Sequence, residues 1–438
     1  MQNVWLSKLI DDKKILSELA SNEIRTVAKD VMCILCRGAK LLCGKIRCPV
    51  MVRFYSQVKA KPLIENLSLV GSSPPDLFVG RIGYPWVSIG PLIPPIHGDT
   101  SLLGTPELWY GKTIEEIVDF RSQLVRGKHR VHVKDLEKNK IVELTRELAL
   151  SRSSTDVNAE FSKKPSGALV LDDEVQPYGP SAPLKNLEIT SIKTDHKIEK
   201  AFFDTDWKAS EVVVWLYSKG VLISRIQRAF STGLFGIGKN RKFVPTRWSI
   251  TAVDTIISQN LLEKVKTFPL INEFKVYEHF DLDNRWIVLM IPSHWQYELI
   301  EAWYPKTTWN LEGKRVGIYS SSEGFEGRTS YPEIGGCYMS ARLSSVQKLI
   351  EDKKQAGIII FREAHPGFIM PLGVWFVRES VRQALNKSPL KFETLEEALK
   401  YISSRLEISM MDWIKNSNLL KKIIYQRKLS DFFNKRYI

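Results

Sequence analysis

Four cysteines crowd one short stretch near the start of the chain, and no other feature restricts so closely what the polypeptide around it can become. They occur as Cys33-Ile34-Leu35-Cys36, Cys43-Gly44 and Cys48-Pro49. A CxxC pair followed by two further cysteines offers four soft donors to one tetrahedral ion, and a segment this small draws its folding energy from the metal. The expected cofactor is Zn²⁺, held by Cys33, Cys36, Cys43 and Cys48. An iron–sulfur cluster takes the same four thiolates, and two disulfides are the other alternative. Four thiolates around a divalent ion leave excess negative charge. Arg37, Lys40, Lys45 and Arg47 stand beside them to offset it, and no acidic residue occurs between Arg37 and Lys59. The fifth cysteine, Cys337, stands alone and reads as a small core residue.

At the other end the sequence runs Gln426-Arg427-Lys428-Leu429-Ser430-Asp431-Phe432-Phe433. Leu429, Phe432 and Phe433 share one side of a helical turn. Two adjacent phenylalanines near a terminus need burial, in the chain's own core or in a partner. Periodicity alone favours the chain's own core, with a helix continuing from Ile414, Leu420 and Ile424. The order Gln, then leucine, then an aromatic pair resembles instead the motif that binds the ring-shaped sliding clamp (PCNA). In that resemblance Gln426 enters a polar pocket, while Leu429, Phe432 and Phe433 fill a hydrophobic one.

Charge adds a second kind of partner. The 438 residues hold 63 Lys+Arg against 49 Asp+Glu, a formal excess of +14. Such a field suits phosphate backbones or anionic lipids. The excess is uneven, since no acidic residue occurs from Val212 to Val253. Arg225, Arg228, Lys239, Arg241, Lys242 and Arg247 fall within that stretch, interleaved with Phe230, Phe235, Phe243 and Trp248. Cations beside stacking surfaces are what single-stranded or distorted DNA requires, so these six residues are the candidate nucleic-acid contacts. The bland alternative is a solvated basic face over core aromatics. Gly233–Lys239 nearly forms a phosphate-binding loop, but Asn240 replaces the metal-binding Ser/Thr and the preceding segment reads as helix, which argues against an ATPase.

No apolar run reaches the length of a membrane span and the first residues show no signal-peptide pattern, so a cytoplasmic, nucleoid-associated chain without a membrane partner is expected. Periodicity predicts helices over 4–31, 113–126, 135–151, 208–230 and 394–406. It predicts strands at 77–80, 86–89, 356–361 and 372–377, and a strand running into a helix over 285–304. A linker is expected over 151–185. Strands and helices mix without clean alternation, which indicates an α+β, multi-domain protein with a flexible C-terminal tail. The division expected is 1–60 for the cysteine module, 61–265 for a mixed core carrying the basic stretch, 266–415 for a second α/β domain, and 416–438 for the basic tail.

Neither GxSxG nor HExxH occurs. His97 with Asp99, Glu363 with His365, and Tyr277-Glu278-His279 are polar clusters that a catalytic centre can use, but none has metal-ligand spacing. Whether the chain is an enzyme is left open.

Several segments together resemble the archaeal Nre family of DNA-repair proteins. They are Leu41-Leu42-Cys43-Gly44, Phe78–Pro85, Gly98–Ser101, Tyr178–Pro183, Val244–Asp254 and Trp375–Ser380, with the terminal motif. The resemblance implies a role in tolerating DNA damage, a four-cysteine zinc module and clamp binding, and it brings no settled catalytic mechanism. The function expected is therefore an accessory protein that binds the clamp and contacts DNA through basic surfaces. The alternative is a clamp-recruited nuclease or nucleotide-processing enzyme. Arg247 and Asp254 carry no assigned role, and a buried pair between them is the structural expectation.

Overall fold

The structure, a computed structural model, describes residues 66–425 apart from 138, 168–174 and 311–312, together with isolated positions between Cys36 and Tyr55. The helix expected over 4–31 lies outside the described residues.

The first half builds a mixed sheet from β1 (Ser68–Ser73), β2 (Leu77–Val79), β3 (Trp86–Ile93), β4 (Val125–His132), β5 (Thr155–Phe161) and β6 (Ser181–Ile189), ordered β1-β5-β6-β4-β3-β2. Only the β4–β6 pairing is parallel. Between the strands lie α1 (Ser101–Gly104), α2 (Ile114–Ser122) and α3 (Lys140–Leu150). Thr113 Oγ1 accepts a hydrogen bond from Glu116 N while Glu116 Oε2 accepts one from Thr113 N, so α2 starts on the capping box that its sequence predicts. The expected linker over 151–185 is corrected. Thr155–Phe161 alternates buried and exposed residues and pairs on both edges, so its ends are sheet interior.

Four helices follow: α4 (His196–Phe203), α5 (Ala209–Ser218), α6 (Ile223–Ser231) and α7 (Thr246–Val265). The single helix expected over 208–230 is two, because the chain turns at Gly220 with φ 74°, a left-handed conformation that glycine adopts without strain. Ile198, Val212, Leu216 and Ile226 from α4 to α6 pack with Val157, Ala159 and Leu187 of the sheet.

The second half holds β7 (Phe274–Asp281), β8 (Asn284–Ile291), β9 (Tyr297–Trp303), β10 (Gly317–Glu323), α8 (Gly336–Asp352), β11 (Gly357–Ala364), α9 (Val374–Leu385), β12 (Leu390–Phe392), α10 (Leu395–Arg405), α11 (Met410–Asn416) and α12 (Asn418–Tyr425). Its sheet runs β10-β9-β11-β8-β7-β12. Both faces are covered, which explains the near-continuous apolar run of β8. Trp286, Val288 and Met290 meet α8 and α9, whereas Ile287, Leu289 and Ile291 meet α10 to α12. Fully burying each such side chain stabilises the fold by about 1.5–3 kcal/mol.

Two expectations here are corrected. Tyr297–Trp303 is a fully buried strand rather than a helix. Its acidic Glu298 is satisfied because Asn418 N and Leu419 N donate to it at 2.8 and 3.0 Å, which caps α12 from the sheet. Val374–Val377 is the start of α9 rather than a strand, since Gly373 at φ 95° turns the chain into a helix buried almost all round. Residues 416–425 do not begin a tail: they complete α11 and form α12, with Leu419 and Leu420 buried against the sheet. The mixed sheets and segregated helices make the chain an α+β protein. Among the described residues no helix is long and apolar enough to cross a membrane.

Candidate nucleic-acid interface

The loop from β2 to β3 reads Gly80-Arg81-Ile82-Gly83-Tyr84-Pro85-Trp86. Gly83 takes φ 84°, the Tyr84–Pro85 peptide is cis, and Trp86 N closes the turn on Gly83 O at 2.9 Å. The flanking strands are buried, yet Arg81 to Trp86 are exposed throughout. Ile82, Tyr84 and Trp86 thus stand in water together, which marks a docking surface more than a structural need.

Helix α7 is hooked to this loop. Val79 N donates to Thr246 Oγ1 at 2.8 Å, which fixes the first turn of α7 beside the end of β2. Trp248, 45 % exposed, therefore lies against Tyr84 with ring centroids 5.1 Å apart. Arg130 of β4 lies against the same turn, since a Cβ placed on Gly83 would meet its Nη2 at 3.1 Å.

Behind the rings is a narrow slot of about 100 Å³ whose basic lining residues are Arg81, Arg121, Arg126 and Arg247. Among the described lining residues the one carboxylate is Asp76, already shared by Arg121 Nη1 at 2.7 Å and Arg228 Nε at 3.0 Å. The guanidinium of Arg126 lies 4.0 Å from the Tyr178 ring centroid and 4.6 Å from that of Phe78. Its Nε has no hydrogen-bond partner among the described residues, and burial draws its pKa below the ordinary arginine range. Among its described lining residues the slot keeps a positive excess inside a low-dielectric wall, a setting that favours a phosphate.

The six basic residues expected to contact DNA divide. Arg228 is buried and donates to Pro75 O and Gly104 O as well as to Asp76. Arg225 pairs with Asp195 at 2.9 Å and donates to Ser151 O, and Arg241 donates to Gly236 O, Phe202 O and Asp204 O. Arg228 braces the fold from within, and the half-buried Arg225 and Arg241 give these donors to the fold. Lys239 and Lys242 are exposed. Lys242 reaches the loop region through its neighbour Phe243, whose N donates to Val133 O, and Val133 N in turn donates to Pro85 O. Arg247 stands at the slot. Sequence reasoning missed Arg121, Arg126, Tyr84 and Tyr178. A signal existed in Arg126, Lys128 and Arg130, which alternate along β4 and so share a strand face.

Arg247 and Asp254 do not form the expected pair. Asp254 is bound by Arg378, by Ser340 Oγ and by Gln227 Nε2. Cys337 is only partly buried.

Of the cysteine module, Cys36 is buried and Cys48 half-buried; Cys33 and Cys43 lie outside the described residues. Two thiols are therefore the described part of the donor set. Among the described residues no three His, Cys, Asp or Glu converge as metal ligands. Lys45 Nζ donates to Ile369 O at 3.3 Å and Arg47 pairs with Glu115, so the module's basic residues also fasten it to the body. Gln426, Leu429, Phe432 and Phe433 lie outside the described residues.

The polar clusters weighed as catalytic have structural partners. His97 Nδ1 lies 3.2 Å from Asp156, and Asp99 accepts from Ser101 N. Glu363 accepts from Glu407 N and Ile408 N at 3.0 and 2.9 Å, anchoring the turn after α10. Glu278 pairs with Arg405.

The chain matches the profiles "Archaeal Nre, N-terminal" over residues 42–310 and "Archaeal Nre, C-terminal" over 323–432. The first profile ends after β9 and the second begins at Glu323, the last residue of β10, two strands that pair antiparallel within one sheet, whereas the border expected at 265/266 falls between α7 and β7. The chain is 41% identical over 391 residues to DNA repair protein NreB of Archaeoglobus fulgidus, covering 89% of this chain and 97% of that relative. It is 35% identical over 382 residues to DNA repair protein NreA of the same organism, covering 86% and 94%. It is 31% identical over 374 residues to DNA repair protein NreA of Haloferax volcanii, covering 83% and 89%. No solved structure matches the chain. With both profiles matched in order and most of the chain aligned to each of these relatives, the chain belongs to the archaeal Nre family.

Proposed function

We propose that this chain is a DNA-repair accessory protein that holds DNA on the face built by the 80–86 loop, β4 and the start of α7. The relatives are named DNA repair proteins, which supports the pathway. The observation that carries the DNA contact is the exposed Tyr84–Trp248 ring pair beside Arg81, Arg126, Arg130 and Arg247. Rings stack on bases of any sequence while the guanidinium groups neutralise phosphates, a combination that suits single-stranded or distorted DNA.

In this reading Gln426, Leu429, Phe432 and Phe433 dock on a sliding clamp. Tethering raises the local concentration of DNA, so a modest affinity at the face suffices. Cys33, Cys36, Cys43 and Cys48 hold one Zn²⁺ that stabilises the segment packed near Glu115 and Ile369.

Two measurements test the reading. Fluorescence anisotropy with a single-stranded oligonucleotide is expected to show salt-dependent binding that Trp248→Ala weakens by roughly tenfold, the scale of one lost base–ring stack. Equal affinity for the variant removes the DNA face. A chain ending at Tyr425 is expected to lose co-elution with the clamp, and retained co-elution removes the clamp motif.

A further inference from the structure

A second hollow, of about 720 Å³, opens beside the slot and shares Arg247 with it. It lies between the starts of α7 and α8, the edge strand β10 and its neighbour β9. Its volume falls in the roughly 300–1,000 Å³ range of small-molecule sites. Its lining carries two kinds of chemistry.

One side is aromatic. Trp303 and Trp309 stand with ring centroids 4.2 Å apart, and Tyr319 and Tyr331 line the hollow while more than half exposed to solvent. Rings at a cavity mouth are stacking surfaces for a planar heterocycle. Two carboxylates share this lining. Glu301 is buried and held by Arg362 Nη1 at 2.7 Å. Glu333 has its pKa drawn down to about 2, chiefly by the Ser321 hydroxyl, then by its own backbone amide and Arg328. It therefore stays an acceptor at every physiological pH, suited to the exocyclic amino groups of a base.

Another part of the lining suits an anion. Among the described lining residues the basic side chain is Arg247. Helix α8 begins in the wall at Gly335, φ 70°, and Gly336, with no side-chain cap on its first turn. Glycines there let an anion approach backbone N–H groups at the positive end of a long helix.

We propose that this cavity binds one nucleotide, its base among Trp309, Tyr319 and Tyr331 and its phosphate against Arg247 and the start of α8. The nucleotide is either free in solution or extruded from the strand held on the neighbouring face. The strand-borne form rests on the DNA-contact reading above, and the free form does not.

The test uses the full chain, with Tyr331→Ala and Tyr331→Phe as variants of an exposed ring and Trp248→Ala as the variant of the DNA face. Deoxynucleoside monophosphates are titrated against intrinsic tryptophan fluorescence, alongside deoxynucleosides that lack the phosphate. Saturable quenching by a monophosphate is expected, weaker by roughly tenfold without the phosphate or in Tyr331→Ala, restored in Tyr331→Phe, and unchanged in Trp248→Ala. That pattern holds even if DNA binding at Trp248 fails. The strand-borne form predicts instead that a duplex with one unpaired nucleotide binds more tightly than its fully paired counterpart. Tyr331→Ala then removes the preference and leaves paired-duplex affinity as it was. If millimolar monophosphate gives no saturable response and the unpaired nucleotide gives no Tyr331-dependent preference, the proposal is overturned, whatever DNA binding persists through Trp248.

Discussion

Arg378 of α9 and Asp254 of α7 meet in the centre of the molecule, with Nη1 3.1 and 3.2 Å from the two carboxylate oxygens and both side chains buried. Ser340 of α8 and Gln227 of α6 complete the carboxylate's hydrogen bonds. Four helices from the two halves are thus fastened at one point. Removing the anion leaves the buried guanidinium with the longer contact to Glu379, 3.4 Å from Nε, as its remaining ion pair among the described residues. Asp254→Ala is expected to destabilise the chain by about 3–5 kcal/mol, read as a lower denaturant midpoint. A loss within about 0.5 kcal/mol, the scale of a neutral surface change, contradicts this role.

Arg126 tests the electrostatics of the DNA face separately from its rings. Arg126→Met keeps much of the apolar stem between Phe78 and Tyr178 but removes the charge. The slope of log affinity against log salt is expected to fall by about 1, the release of one counterion. An unchanged slope places the phosphate elsewhere.

His279 sets an acid limit on stability. Its ring is buried without a hydrogen-bond partner for either nitrogen among the described residues. Burial, and then Lys387, draws its pKa from 6.5 down to about 4. Between those values the unfolded chain binds more protons than the folded one, so stability is full above about pH 6.5 and falls as the pH drops toward 4. The contribution reaches at most about 3 kcal/mol, less where water reaches the ring. His279→Phe is expected to flatten the stability profile between pH 7 and pH 5 in denaturant melts relative to the parent chain, and parallel profiles contradict the assignment.

The cysteine module predicts a metal count. Atomic absorption on the purified chain is expected to give one zinc per molecule, lost with Cys36→Ser or Cys48→Ser, and chelation is expected to lower the melting temperature. Iron in place of zinc, with visible charge-transfer absorption, favours the cluster alternative.

Local rules made part of this fold readable. Thr113 with Glu116, and Thr394 with Glu397, mark helix starts because both ends of each capping box lie within one turn. The strand over Leu77–Val79 is legible as a short apolar run between turn residues, while the left-handed Gly220 inside a helical pattern is not. Tyr297–Trp303 escaped because its glutamates receive their partners from residues far along the chain. The site divides the same way. Arg228 looks like a surface cation until Asp76 is brought beside it, and Tyr84 gains meaning only when α7 delivers Trp248. Long-range partners decide which arginines face water, and no local pattern encodes them.

Arg247 borders both hollows, so occupants that both contact its guanidinium would be coupled through it. Whatever free energy an occupant of the narrow slot adds to or subtracts from the wide cavity, the cavity's occupant returns in equal measure to the slot. Ligands that filled the slot and the cavity together would meet at this one guanidinium.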